Sequence, residues 1–167
     1  MRVFLCSFAT SNIYQNLKND ISIYFDGNFP TLQNLHVTQY FFGDIDKQML
    51  LDIIEILDNF DFKQEHCTIK SLGSFGTIPK VIFGNVYNTK EFQRVNNFIT
   101  SKISKTSNLY KPHLTLLRVK KIKNQNYHEL FKKYEDVEIA QTSQKYSLVE
   151  STLTQNGAIY KTIKSYL

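Results

Sequence analysis

Cysteine is scarce in this chain. Cys6 and Cys67 are the only two among 167 residues. Two cysteines can form one disulfide at most, which excludes the small secreted scaffolds that depend on several bridges. Because nothing else in the sequence indicates secretion, we expect a cytoplasmic protein whose two free thiols pack inertly in apolar strands.

Proline, glycine and long apolar runs are also scarce. Three prolines and six glycines argue against a disordered or linker-rich chain. No segment approaches the roughly 18 consecutive apolar residues that a membrane helix needs. The apolar run that starts at Val3 breaks at Ser7, so it indicates a buried first strand rather than a signal peptide. We therefore expect a soluble protein without membrane contact.

The patterns of several cofactor and metal sites are missing as well. The stretch Gly73-Ser74-Phe75-Gly76 lacks the lysine and the following helix of a phosphate-binding P-loop. The four histidines have no cysteine or carboxylate at ligand spacing, which disfavours a zinc site. We expect neither a metal nor a cofactor.

What the chain does contain is enough apolar material for a core. Hydrophobic residues make up 42% of the sequence and include 10 Tyr and 13 Phe. A chain of this length forms one domain, or one compact unit of two small lobes. The net charge of +5 and the pI near 9.1 suit an anionic partner, although many basic proteins bind none.

The order of predicted elements repeats along the chain. A strand, a helix, a second strand, a second helix and a third strand follow one another in residues 1–78, and the same order returns in residues 79–167. The strands are expected near residues 3–9, 34–43, 64–72, 81–86, 111–119, 146–153 and 158–166. This repeat within a single domain predicts two lobes related by a pseudo-twofold axis.

Helices are indicated by apolar residues at helical spacing. Ser11 is expected to cap the first helix, whose buried face includes Leu17 and Ile21. A second helix is expected from about residue 46 to residue 59. Near the end of the chain, Asn156-Gly157 predicts a hairpin turn.

Two of the predicted strands carry a histidine with a threonine two residues later. His36 precedes Thr38 in this way, and His113 precedes Thr115. Residues two apart in a strand share a face, so each pair offers an imidazole and a hydroxyl to the same space. Since the two histidines occupy matching positions in the two halves, we expect their strands to line a cleft between the lobes.

A third tripeptide of this kind, His66-Cys67-Thr68, is a competitor. One such tripeptide proves little, because threonine is common in this sequence. His66 is expected on the last strand of the first half, outside the matching positions. We therefore interpret it as a strand residue without a catalytic role.

Two imidazoles and two hydroxyls suit phosphodiester cleavage without a metal. The reaction needs a water that loses a proton as it attacks and an oxygen that gains one as it leaves. Imidazole, with an unperturbed pKa of about 6.5, performs either task near neutral pH. We expect His36 as the acid and His113 as the base, although the pseudo-symmetry leaves their order open. Thr38 and Thr115 are expected to donate hydrogen bonds to the phosphate oxygens.

Two further candidates lie five residues after the histidines. Arg118 offers a fork of donors for a phosphate, but simple alternation puts it on the opposite face from His113, so a bulge or an end twist is needed. Phe41 either stacks on a nucleobase or belongs to the core. Lys111 and the run Lys120-Lys121-Ile122-Lys123 could guide RNA to the second motif, but we interpret the run as a solvated face.

These motifs resemble those of a known family. Leu35-His36-Val37-Thr38 and Pro112-His113-Leu114-Thr115-Leu116 are similar to the paired motifs of the 2H phosphoesterase superfamily, and the chain most resembles its bacterial RNA 2′,3′-cyclic phosphodiesterases. Further similar segments span nearly the whole chain: residues 1–5, 42–44, 72–75, 111–119 and 148–153, with Gly157 and Tyr160. The chain departs from the pattern at Gln39-Tyr40, where a pair with leucine is usual, and at Gly76, where proline often stands.

The resemblance implies both a fold and an activity. The fold would be α+β, with two pseudo-symmetric lobes that are each an antiparallel sheet with helices on its outer face, and an active-site cleft between them. The activity would be hydrolysis of 2′,3′-cyclic phosphate ends of RNA or oligonucleotides to 2′-phosphates, and we expect a monomer. Two alternatives stay open: a 2H phosphodiesterase acting on 2′-5′ oligonucleotides or cyclic nucleotide signals, and a module that binds RNA ends without catalysis.

Overall fold

The computed structural model describes residues 1–103, 109–155 and 157–167. The loop expected at residues 104–108 and the first residue of the expected hairpin turn, Asn156, lie outside the described residues. The strands are β1 (Arg2–Thr10), β2 (Phe25–Asn28), β3 (His36–Asp44), β4 (Thr68–Phe75), β5 (Val81–Tyr87), β6 (His113–Ile122), β7 (Glu138–Thr142), β8 (Tyr146–Thr154) and β9 (Gly157–Tyr166). The helices are α1 (Tyr14–Tyr24), α2 (Lys47–Asp58), α3 (Lys90–Ile103) and α4 (His128–Lys133).

The described strands form one antiparallel sheet of nine strands, and two groups of four within it are the two lobes of the molecule. One lobe contains β1, β3, β8 and β9, and the other contains β2, β4, β5 and β6. The short β7 pairs with β4 of one lobe and with β1 of the other. Both lobes draw on both halves of the chain, because β1 pairs with β8 and β4 pairs with β5. The expected α+β fold of two lobes is confirmed.

The helices bury the faces that their apolar spacing predicts. Leu17 and Ile21 of α1 are fully buried, as is Leu57 of α2. The expected cap of α1 is wrong, because the helix begins at Tyr14 and the Ser11 hydroxyl instead donates to the carbonyl of Ile139, at 2.6 Å. Tertiary contact with β7 therefore replaces the local cap.

The start and end of β4 also differ from expectation. The strand begins at Thr68, so His66 precedes it in an irregular, exposed stretch. The strand also continues through Gly73. A Cβ at that position would lie 2.6 Å from the Phe83 ring on the neighbouring strand. Glycine therefore lets β4 and β5 approach closely here, although in the sequence it predicts a strand end.

Two short strands were not predicted from the sequence. The polar residues of β2 (Phe25–Asn28) had indicated the end of a segment, yet β2 pairs with β6. Gly27 is required there, since a Cβ would lie 2.1 Å from the carbonyl oxygen of Arg118. The other missed strand, β7 (Glu138–Thr142), exists through its pairing with strands far away in sequence.

The first strand, β1, is buried on both faces. Val3 and Leu5 belong to the main core, whereas Phe4 and Cys6 form a second small cluster with Val149. Such burial on both faces explains the continuous apolar run that opens the sequence. None of the described helices is both long and apolar enough to span a membrane.

Candidate functional site

The two histidine strands lie side by side in the sheet. Val37 of β3 pairs with Leu114 of β6 in antiparallel orientation, and both side chains are fully buried. Neighbouring residues in a strand point to the opposite face. The two histidines and two threonines therefore share the face turned away from this buried pair. We call His36, Thr38, His113 and Thr115 the quartet.

The register also fixes the arrangement within the quartet. An antiparallel ladder through Val37 and Leu114 sets His36 opposite Thr115 and Thr38 opposite His113. Opposite residues in such a ladder have Cβ atoms about 4.5–5.5 Å apart, and diagonal ones are about 7–8 Å apart. The two imidazoles thus take one diagonal and the two hydroxyls the other.

Two cavities adjoin the quartet. The Arg118 cavity, of about 470 Å³, is lined by all four quartet residues together with Arg118 and Tyr160. The Phe41 cavity, of about 510 Å³, is lined by Thr38 and His113 together with Phe41, Lys111 and Tyr110. Because both cavities share Thr38 and His113, they meet at the quartet.

Each imidazole is oriented by a backbone carbonyl two residues before it. The Nδ1 atom of His36 lies 2.7 Å from the carbonyl oxygen of Asn34, and the Nδ1 atom of His113 lies 2.8 Å from that of Lys111. A carbonyl oxygen only accepts, so Nδ1 donates its hydrogen in both rings. In the neutral form the other nitrogen, Nε2, is then left as a proton acceptor in each ring.

Aromatic rings enclose both histidines. Phe4 and Tyr160 pack on His36, with ring centroids 5.1 and 5.3 Å away. Phe75 and Phe83 pack on His113 at 4.9 and 5.6 Å. These contacts limit the freedom of both rings and remove water from them.

The pKa of each imidazole is lowered from its ordinary value. Burial is the first cause for both, because it disfavours the charged form. The Arg118 guanidinium lowers both pKa values further, and the His113 imidazole lowers that of His36. The backbone hydrogen bonds act in the opposite direction but do not prevail.

A bulge in β6 puts Arg118 on the cleft side. Phe83 pairs with Thr115 and Ile82 pairs with Leu117, so Leu116 is an extra residue in the strand. Leu116 and Leu117 are both buried, and the alternation resumes with Arg118 exposed and lining the Arg118 cavity. This is the bulge that the sequence required for Arg118 to share a face with His113.

The first histidine strand bulges at the equivalent position. Cys6 pairs with Thr38 and Leu5 with Tyr40, which leaves Gln39 as the extra residue. Phe41 follows, half exposed, and lines the Phe41 cavity. The Arg2 guanidinium lies 4.8 Å from the centroid of its ring. Phe41 is therefore a surface aromatic beside the quartet rather than a core residue.

The remaining histidine of the three tripeptides stands apart. His66 is exposed and lines neither the Arg118 cavity nor the Phe41 cavity among the described residues. In the described part of the chain, no three His, Cys, Asp or Glu side chains lie together as a metal-binding group would. Cys6 and Cys67 are both buried free thiols.

Three residues of the site had no role in the sequence analysis. Tyr160 packs on His36, Asn34 holds the Nδ1 atom of that ring, and Tyr110 donates to the carbonyl of Thr38. The Asn34 contact uses a backbone carbonyl, which every residue possesses, so no sequence signal marks it. Tyr110 is one of ten tyrosines in the chain, and only the fold distinguishes it. Tyr160 lies in a segment that resembles the family, but that resemblance gave it no role.

Comparison with solved structures shows the same fold. A protein of Thermus thermophilus superimposes with a TM-score of 0.77 at 18% identity, covering 99% of this chain and 97% of that one. Escherichia coli LigT in complex with 3′-AMP gives a TM-score of 0.72 at 16% identity, covering 99% and 95%. At such low identity the likeness concerns the fold alone.

No family model matches the chain. Comparison with curated proteins, however, finds relatives that are similar in sequence over nearly the whole chain. A protein of Aquifex aeolicus named RNA 2′,3′-cyclic phosphodiesterase is 28% identical over 98% of this chain and 93% of its own length. A protein of the same name from Methanocaldococcus jannaschii is 31% identical over 99% of this chain and 100% of its own length. The chain therefore belongs to the RNA 2′,3′-cyclic phosphodiesterase family.

Proposed function

We propose that this protein hydrolyses 2′,3′-cyclic phosphate ends of RNA to 2′-phosphates. The observation that carries the proposal is the quartet: two imidazoles and two hydroxyls on one face of β3 and β6, with Nδ1 of each ring bound to a backbone carbonyl. The names of the curated relatives agree with this reaction.

The mechanism follows from the protonation of the two rings. Neutral His113 takes a proton from a water through Nε2 as the water oxygen forms a bond to phosphorus. Protonated His36 gives its Nε2 proton to the 3′ oxygen as the bond from that oxygen to phosphorus breaks. The phosphate stays on the 2′ oxygen, and exchange with solvent resets both rings. No metal takes part in this scheme.

The other candidate residues support the phosphate and the nucleoside. The Thr38 and Thr115 hydroxyls donate to the non-bridging oxygens, where charge increases during the attack. Arg118 adds a fork of charged donors from the Arg118 cavity. Phe41 offers its exposed face to a nucleobase in the Phe41 cavity. Since one chain supplies all of these groups, we propose that the monomer is active, in the cytoplasm where its buried thiols stay reduced.

Turnover of defined substrates tests this function. Purified protein is incubated, with and without excess chelator, with an oligoribonucleotide that ends in a 2′,3′-cyclic phosphate. We expect a 2′-phosphate product at the same rate in both reactions. Loss of turnover in chelator that zinc restores would contradict the metal-free scheme.

Parallel substrates separate the alternatives. A 2′-5′-linked oligonucleotide and a cyclic nucleotide signal are compared with the cyclic end at equal concentration. Faster turnover of either one would move the protein to another substrate class within the superfamily. Tight retention of a cyclic end that stays intact would identify a binding module instead.

A further inference from the structure

The edge of β3 beside the quartet is completed by side chains rather than by a strand. Among the described residues, β3 and β6 pair at Val37 and Leu114 alone, and Gln39 bulges from the ladder on the other side of β3. The Tyr110 hydroxyl donates to the carbonyl oxygen of Thr38 at 3.0 Å. Asn96 of α3 donates through Nδ2 to the carbonyl oxygen of Gln39 at 2.7 Å. These bonds give both backbone carbonyls a side-chain donor.

Tyr110 is also tied to the second histidine. It lies three residues before His113, and the carbonyl of the intervening Lys111 accepts the hydrogen of His113 Nδ1 at 2.8 Å. Pro112, between Lys111 and His113, restricts the backbone of this stretch. Residues 110–113 thus begin with Tyr110, whose hydroxyl is bonded to the Thr38 carbonyl, and end with His113, which lies opposite Thr38.

We propose that Tyr110 is a positioning residue that fixes the Thr38 hydroxyl relative to the His113 imidazole. Its ring lines the Phe41 cavity, but its hydroxyl acts through Thr38 rather than on the phosphate. The inference rests on the proposed function, because the distance between these two groups determines whether one phosphate reaches both. A misplacement of about 1 Å in such a site costs on the order of 100-fold in rate.

The His36 ring is held in place by different contacts. Asn34, whose carbonyl accepts from the His36 ring, donates through Nδ2 to the carbonyl oxygen of Ala158 on β9, at 3.0 Å. That bond stays within the lobe of β1, β3, β8 and β9. The Tyr110 bond instead connects the segment entering β6 with a strand of the other lobe. Burial also raises the pKa of Tyr110, so the hydroxyl remains a donor throughout the range in which the imidazoles titrate.

Kinetics of Tyr110→Phe test this role, since the variant keeps the ring and removes only the donor. We expect kcat for a 2′,3′-cyclic end to fall about tenfold or more while KM changes less than about twofold. The matched control is Tyr134→Phe, which removes a 2.6 Å hydroxyl bond to Asp20 between α4 and α1. The control should keep the wild-type kcat. A wild-type kcat in Tyr110→Phe, or an equal fall in both variants, would overturn the proposal.

A second measurement does not depend on turnover. The pKa values of His36 and His113 are followed by NMR titration in the wild type and in both variants. In Tyr110→Phe we expect the pKa of His113 to rise toward its ordinary value, because the loosened stretch admits water. The pKa of His36 should not rise, because its own burial is unchanged and a charged His113 only lowers it. An unchanged His113 titration would refute the positioning role. If the wild type fails to hydrolyse cyclic ends, the proposed function fails, but this measurement still decides the role of Tyr110.

Discussion

At the residue scale, the surroundings of the two imidazoles are nearly equivalent. Each ring donates through Nδ1 to the carbonyl two residues earlier and packs between aromatic side chains. Each is also partly buried, with a lowered pKa. Each ring can therefore take or give a proton through Nε2.

Substitution of the histidines tests whether both rings transfer protons in the reaction. His36→Ala and His113→Ala are each expected to lower kcat/KM for a cyclic end by about 10²–10⁴-fold, because each removes one proton-transfer partner. His66→Ala is the matched control, since its exposed ring lines neither cavity. It should keep the wild-type value. Inactivation by the His66 substitution alone would show that the quartet has been wrongly identified.

Arg118 has an electrostatic effect that can be measured separately. Both imidazole pKa values are lowered from 6.5, so the singly protonated pair is most abundant at a pH below 6.5, and kcat/KM should follow a bell with its optimum there. Arg118→Ala removes a cation that lowers both pKa values, and we expect the optimum to move to higher pH. Arg118→Lys keeps the charge and should leave the optimum in place, with weaker binding. A profile unchanged by loss of the charge would contradict this coupling.

At the element scale, both histidine strands, β3 and β6, contain a bulge at an equivalent position. Each strand bulges at the third residue after its histidine, at Gln39 and at Leu116. The bulge interrupts the alternation of faces, so the residue five places after the histidine borders a cavity. In one strand this residue is Phe41 and in the other it is Arg118. The two histidine strands therefore share this irregularity as well as their His and Thr residues.

The pairing of β2 with β6 supports the Arg118 position, and Gly27→Ala tests it. A Cβ at Gly27 would lie 2.1 Å from the Arg118 carbonyl, so the strands must separate. We expect a loss of about 1–3 kcal/mol in the free energy of unfolding and a higher KM, measured by urea titration and by kinetics. Asp26→Ala, an exposed change on the same strand, is the control. A Gly27 variant with wild-type stability would argue against this close approach.

At the scale of the whole molecule, the cleft makes stability depend on pH. Both imidazoles have a lower pKa in the folded chain than their ordinary value of 6.5. Below pH 6.5 the unfolded chain therefore binds more protons than the folded one, and stability falls as the pH decreases. The two imidazoles of the quartet therefore lower the stability of the folded protein at acid pH, and their proposed role in catalysis explains why they are present.

Urea unfolding at pH 7 and pH 5 tests this dependence. The wild type should lose more free energy of unfolding between the two pH values than a variant carrying both His36→Asn and His113→Asn. The double variant lacks the two groups whose protonation favours the unfolded chain. Equal losses in both proteins would mean that the histidines are not desolvated in the native state.

Local chemistry was sufficient to predict most of the elements. The apolar spacing of residues such as Leu17, Ile21 and Leu57 predicts buried helix faces, and these are observed. The alternation of His36 with Thr38, and of His113 with Thr115, predicts two shared faces. What local chemistry could not predict were β2 and β7, because each depends on a distant partner strand, and the true end of β4, because it depends on how closely Gly73 packs against Phe83 of β5.

The local sequence is enough to establish two imidazole–hydroxyl pairs, each on one strand face, since side-chain alternation is a property of the strand alone. That the two faces coincide depends on the fold, because the pairing of Val37 with Leu114 is a contact between distant segments. The fold also determines that Arg118 reaches the cleft and that Tyr110 reaches Thr38. The bulge in β6 and the hydrogen bond from Tyr110 to Thr38 both arise from tertiary packing, so local sequence patterns do not predict them.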